Sequence, residues 1–153
     1  MHAVYLAIFE LPFNIQRKTT LLTALMGGAD WSWRVTGITA EALEVLASND
    51  FKYAKGKICR AHLIDRIDTA GAVFQIPSPL TEDQFFAKIW ENDETVIATK
   101  SENKTRGTLP KIILIDYKLG LFVCNPLVGF RYGKRETGFL RELHANHKSG
   151  AAK

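Results

Sequence analysis

Apolar residues along this chain recur at two spacings, and the changes between them predict an interleaved series of helices and strands. The opening run "AVYLAIFEL", Ala3 to Leu11, is short and continuously apolar, which predicts a strand covered on both faces at the start of a central sheet. From Lys18 to Met26, Leu21, Leu22, Leu25 and Met26 fall at helical spacing and Gly27-Gly28 follow as a stop, so a helix is expected. "WSWRVTGI" sets Trp31, Trp33 and Val35 against Ser32, Arg34 and Thr36, the alternation of a half-buried strand. Thr39 can cap a helix carrying Leu43 and Leu46 and ending near Ser48-Asn49-Asp50.

In "ICRAHLI" a strand places Ile58, Arg60, His62 and Ile64 on one face and Cys59, Ala61 and Leu63 on the other. An arginine and a histidine then stand side by side among aliphatic residues, as on the floor of a site. Ile67, Ala70, Gly71 and Phe74 suggest another helix, broken by the prolines of "QIPSPL". Thr81 with Gln84 has the form of a capping box, and Phe85, Phe86, Ile89 and Trp90 make a stripe expected in the core. "TVIAT", "KIILID" and "GLFVC" predict strands, "SENKTRGTLP" a polar loop or helix start, and Lys134 to His147 an amphipathic helix. The expected fold class is α+β: one domain over 1-153, a mixed sheet with flanking helices, and a basic terminal helix over about 134-148.

Length agrees, since 153 residues at 46% hydrophobic content are enough for a single core. No apolar run approaches the roughly 20 residues that span a bilayer, and "MHAVYLAIFELPF" has no basic start or small-residue cleavage site. A soluble, cytoplasmic protein without a membrane partner is expected. Cys59 and Cys124 both fall in apolar segments, so a disulfide framework is not indicated.

Charge changes the picture more than its total suggests. Arg131, Lys134, Arg135, Arg141, Lys148 and Lys153 face only Glu136 and Glu142 in the tail, which accounts for the whole net charge of +4. Basic residues gathered in one segment suit phosphate binding, because each contact releases condensed counterions. A solvated terminal helix has the same composition.

The two stretches richest in chemistry are "KICRAHLIDR", Lys57 to Arg66, and "DETVIATKSENKTRGTLP", Asp93 to Pro110. Together they resemble the HNH, or ββα-metal, nucleases, in which a strand ends in a histidine and a later strand leads into a helix opening with an Asn or His ligand. "AHLIDR" matches the first part and "TVIATKSENKTRGTLP" the second. The resemblance implies phosphodiester hydrolysis with a divalent ion, Mg or Mn. His62 would be the general base, with Arg60 and Arg66 clamping substrate or stabilising the transition state. Asn103 would be a metal ligand, and Lys104 and Arg106 would neutralise phosphate oxygens. Ala61 stands where the family commonly has an acidic ligand, so Asp65 or Asp68 would have to substitute. Glu102 is a further ligand candidate, and Lys100, Arg131, Lys134 and Arg135 complete the expected nucleic-acid contacts, with DNA favoured over RNA.

Asp93 with Glu102-Asn103-Lys104 also looks like the Asp…Glu-x-Lys end of the PD-(D/E)XK nucleases, which points to the same reaction class. Cys59-x-x-His62 and His144-x-x-His147 carry zinc-type ligands, although Cys59 and His62 oppose each other on a strand. Two other classes share the composition. One is a module that binds nucleic acid through Trp31, Trp33, Arg34 and basic clusters without cutting it; the other is a small accessory or inhibitor protein that binds a protein partner. A symmetric homodimer is compatible with each of them.

Overall fold

The first element departs from the pattern-based expectation. In the computed structural model, which describes residues 1–105, 109–125 and 129–151, the opening apolar run is a helix, α1 (His2–Glu10). A short apolar run reads alike for a buried strand and a buried helix, and the contacts decide it. Tyr5 and Ile8 face inward, the Tyr5 ring stacking on Phe85 at 4.7 Å and its hydroxyl donating to the Val73 carbonyl, while Val4 and Leu6 are exposed.

Next come α2 (Ile15–Met26), capped by the Asn14 side chain, then β1 (Val35–Thr39) and α3 (Ala40–Ser48). The expected strand through Trp31 begins only at Val35. Ser32 is buried and its hydroxyl donates to the Met26 and Ala29 carbonyls, while Trp33 takes φ 52°, which an extended strand does not allow. Thr39 caps α3 as expected, accepting from the Ala42 N–H.

β2 (Ile58–His62) leads to α4 (Arg66–Ala72) and α5 (Glu82–Asn92), the latter opened by the Thr81–Gln84 capping box. Phe85 and Ile89 of the α5 stripe enter the core, but Trp90 stays 50% exposed. β3 (Thr95–Thr99) is buried at every position and passes directly into α6 (Lys100–Lys104). β4 (Ile112–Leu114), a 3-10 turn at Tyr117–Leu119, the short hairpin β5 (Cys124–Asn125) with β6 (Gly129–Phe130), and α7 (Lys134–Ala151) complete the fold. Of "GLFVC" only Cys124 is in a strand, because Phe122 also has a positive φ, of 54°.

The four-stranded sheet has the order β2-β3-β1-β4, with β1 parallel to β3 and both outer strands antiparallel. This is the expected α+β single-domain class with a mixed sheet and flanking helices. One cluster, including Ile38, Leu43, Leu46, Ile97, Phe122 and Leu140, lies between the sheet, α3 and α7. A second, including Tyr5, Leu22, Met26, Trp33, Val73 and Phe85, lies among α1, α2, α4 and α5. Gly37 lets β1 and β4 close up: a Cβ there would meet Ile112 Cγ2 at 2.5 Å and the Ile113 carbonyl at 3.2 Å. No helix of the described residues is long and apolar enough to cross a membrane.

Candidate functional site

β2 and β3 are antiparallel, His62 opposite Thr95 and Ile58 opposite Thr99. α6 follows β3 without a loop, because Thr99 ends the strand and caps the helix in a box with Glu102. A short helix is thereby laid against the β2–β3 ribbon, and the chain after β2 turns into α4 beside it. Between them is a cleft of about 760 Å³ whose lining includes His62, Asp65, Arg66, Asp68, Glu102 and Asn103. Six of the residues singled out from the sequence therefore meet, although Asp65 and Asn103 lie far apart along the chain. Arg60 lines a neighbouring open cavity of about 670 Å³ instead, and Asp65 and Arg66 form the wall common to both.

His62 is the most perturbed group. Its ring meets the Trp33 indole edge to face, with centroids 5.2 Å apart, and its Nε2 is buried without a hydrogen-bond partner among the described residues. Burial, then the positive charges of Arg60 and Arg66, push its pKa down to about 4. The imidazole is neutral at physiological pH.

Glu102 has a structural engagement that the sequence does not reveal. Its Oε2 accepts from the Thr99 N–H at 2.8 Å and from the Thr99 and Thr39 hydroxyls at 2.9 and 2.7 Å, tying α6 to the end of β1. Oε1 is buried without a partner among the described residues. Asp65 and Asp68 are exposed and make no ion pair among the described residues. The Asp65 side chain takes no part in capping α4.

The described residues contain no cluster of three His, Cys, Asp or Glu side chains arranged for a metal. The donors on the cleft wall, two uncommitted carboxylates and the Asn103 amide, fit a hard ion such as Mg or Mn that keeps waters and takes substrate phosphate oxygens as further ligands. They do not fit zinc. Cys59 turns its thiol to the Thr99 carbonyl, away from the face of His62, and His144 pairs with Glu44 at 3.0 Å.

Asp93, the first carboxylate of the PD-(D/E)XK-like pattern, is fully buried and holds Arg34. Glu102 and Lys104 sit on a helix rather than sharing a strand face.

The basic residues divide into two groups. Lys100 and Lys104 are exposed on α6, beside the cleft. Arg131, Lys134 and Arg135 do not line it: Arg131 lies 4.0 Å from Asp30, and Arg135 donates to the Leu119 carbonyl at 3.2 Å. Farther along α7, Arg141 pairs with Asp50 at 2.7 Å and Lys148 with Glu44 at 3.8 Å, so much of the tail's charge is matched within the fold. Arg106 lies outside the described residues, as does Lys153 of the tail.

Sequence reasoning named Trp31 and Arg34 as possible nucleic-acid contacts but did not join them to Trp90, Tyr117 and Phe122. The five line one cavity, and nothing in their local spacing marks them as a set. The one available signal is the density of aromatic residues around Arg34. Compared with known proteins, the chain matches no family model, no curated protein and no solved structure.

Proposed function

We propose that the cleft between β2, α4 and α6 binds a nucleic-acid strand and hydrolyses a phosphodiester within it, in the manner expected of an HNH-like nuclease. The observation that carries this reading is the convergence of His62, Asp65, Arg66 and Asn103, from separate elements, on one cleft. Arg66 and the exposed Lys100 and Lys104 bind phosphate oxygens. Arg60, in the adjoining cavity, holds the strand where it leaves the cleft. Asp65, Asp68 and Asn103 would hold a divalent ion, which when bound supplies charge neutralisation at the phosphoryl oxygens. His62, kept neutral by burial and by Arg60 and Arg66, is the group that accepts a proton. The substrate favoured is DNA. Two free cysteines, Cys59 and Cys124, support a reducing cytoplasmic setting.

Binding without cleavage is the second reading. The sealed Nε2 of His62 and the structural engagement of Glu102 favour it.

The test is incubation of the purified protein with supercoiled DNA and structured RNA in Mg²⁺, Mn²⁺ or EDTA, beside His62→Ala and Asp65→Asn variants. Nicking that needs the ion and disappears in both variants supports hydrolysis. Salt-sensitive retention without nicking refutes hydrolysis and leaves the binding reading. Neither result would remove nucleic acid as the ligand and turn the search to a protein partner.

A further inference from the structure

Ser32 and Arg34, the sequence neighbours of Trp33, line a second cavity, more apolar than the cleft. It is about 210 Å³ and walled by Trp31, Trp90, Tyr117 and Phe122, with Arg34 and Asp30 as its charged members. A cavity of about 150 Å³ takes a benzene ring, so this one has room for a larger flat ring. Trp90 and Tyr117 are 50% and 45% exposed, which places them at the mouth rather than in the core.

The polar groups are few and mostly occupied. The Ser32 hydroxyl donates to the Met26 and Ala29 carbonyls, and the Cys124 thiol to the Gly27 carbonyl. Arg34 is fixed: Nε donates to Asp93 Oδ1 at 2.8 Å, Nη2 pairs with the same oxygen and donates to the Trp90 carbonyl, and the guanidinium lies 4.9 Å over the Tyr117 ring. Its Nη1 has no protein partner among the described residues. Among the described residues Asp30, 73% exposed, has only the distant Arg131 contact at 4.0 Å. Trp33 and Phe122, the two residues with strained backbone nearest this region, have φ of 52° and 54°.

Aromatic walls, a fixed guanidinium donor and an uncommitted carboxylate acceptor match one ligand chemistry well. We propose that this cavity is a nucleobase site with a preference for guanine, the ring packing against Trp31 and Trp90 while Arg34 donates to an acceptor on its edge and Asp30 accepts from ring N–H groups. Guanine alone among the common bases offers the acceptor pair O6 and N7 next to the N1–H and N2–H donors. Stacking on aromatic side chains supplies the affinity. The choice of a nucleobase rests on the nucleic-acid reading of the neighbouring cleft, and a base held here would anchor a strand whose phosphates enter that cleft.

The experiment is titration of the intact protein with guanosine, adenosine, cytidine and benzyl alcohol, followed by tryptophan fluorescence. Saturable quenching by guanosine is expected, weakened about tenfold or more in Trp90→Ala and in Tyr117→Ala, two exposed positions that spare the core. Trp31 and Trp33 still report in the first variant. Asp30→Ala should weaken guanosine and leave adenosine unchanged. No saturable quenching by guanosine, or benzyl alcohol or cytidine binding as tightly as guanosine, would overturn the proposal. Asp65→Asn, expected to abolish nicking, should titrate like the wild type, so failure of the base site and failure of the hydrolytic cleft are read separately.

Discussion

Asp93 holds Arg34 from a position with no solvent exposure, Oδ1 lying 2.7 Å from Arg34 Nη2, and its second oxygen accepts from the Trp33 N–H at 3.1 Å. One carboxylate thus fixes a guanidinium and stabilises a tryptophan in left-handed backbone geometry. Burial pushes the Asp93 carboxyl above the usual carboxylate range, with Arg34 and the Trp33 N–H pulling it back. Removing one partner of a buried pair leaves an uncompensated charge, so Asp93→Ala should lose about 3–5 kcal/mol in urea unfolding. A loss under about 1 kcal/mol would mean that Arg34 finds water instead.

His62 gives the stability a pH dependence of definite sign. Its pKa is about 4 in the folded protein against 6.5 for an unperturbed histidine, so between those values the unfolded chain binds a proton that the folded chain refuses. The contribution is complete above pH 6.5 and is lost as pH falls toward 4, by up to about 3 kcal/mol. Asp93, shifted upward, acts in the opposite sense above 3.8, which makes the difference between wild type and His62→Gln the informative curve. Parallel curves for the two proteins would show that His62 is not held neutral.

Glu102→Ala should destabilise the protein by about 1–3 kcal/mol whether or not a divalent ion is added, since its Oε2 closes the α6 capping box and holds Thr39. A destabilisation seen only with Mg²⁺ present would instead identify Glu102 as a ligand.

Gly37→Ala should cost about 1–3 kcal/mol, because the new methyl meets a branched Ile112 carbon and the β4 backbone. Pairing it with Ile112→Ala should recover part of the loss. Independent, additive losses would place the strain elsewhere.

Lys100→Glu and Lys104→Glu should each weaken DNA retention and lower the slope of log affinity against log salt by about one. Lys148→Glu, a residue already within 3.8 Å of Glu44, should change the slope less. Equal effects at all three positions would spread binding over the whole surface.

Local signals were legible in the sequence wherever a side chain reports on its own neighbourhood. The Thr39 and Thr81 caps, β3 and the inward residues of α5 are of this kind. His62 and Asn103 were singled out through a resemblance, and both line one cleft. α1 was not legible, since nine apolar-rich residues do not choose between periods until Phe74 and Phe85 are there to pack against. Nor was the Arg34–Asp93 pair, whose members are 59 residues apart. Trp90 falls at core spacing on α5, and only the tertiary arrangement shows that its ring reaches the surface beside a cavity.

The adjacency of β1 and β3 governs how the chain can fold as it is made. The two middle strands of the sheet, joined by such links as Trp33 to Asp93 across 60 residues, cannot pair until α3, β2, α4 and α5 have all been synthesised. Long-range pairing of this kind brings slow folding, because loop-closure entropy is spent before any sheet contact returns it. A nascent chain stalled before Thr95 would hold Val35 and Ile38 without their sheet partners. The order of synthesis therefore keeps the sheet open until its third strand emerges, and both the cleft and the aromatic cavity form late.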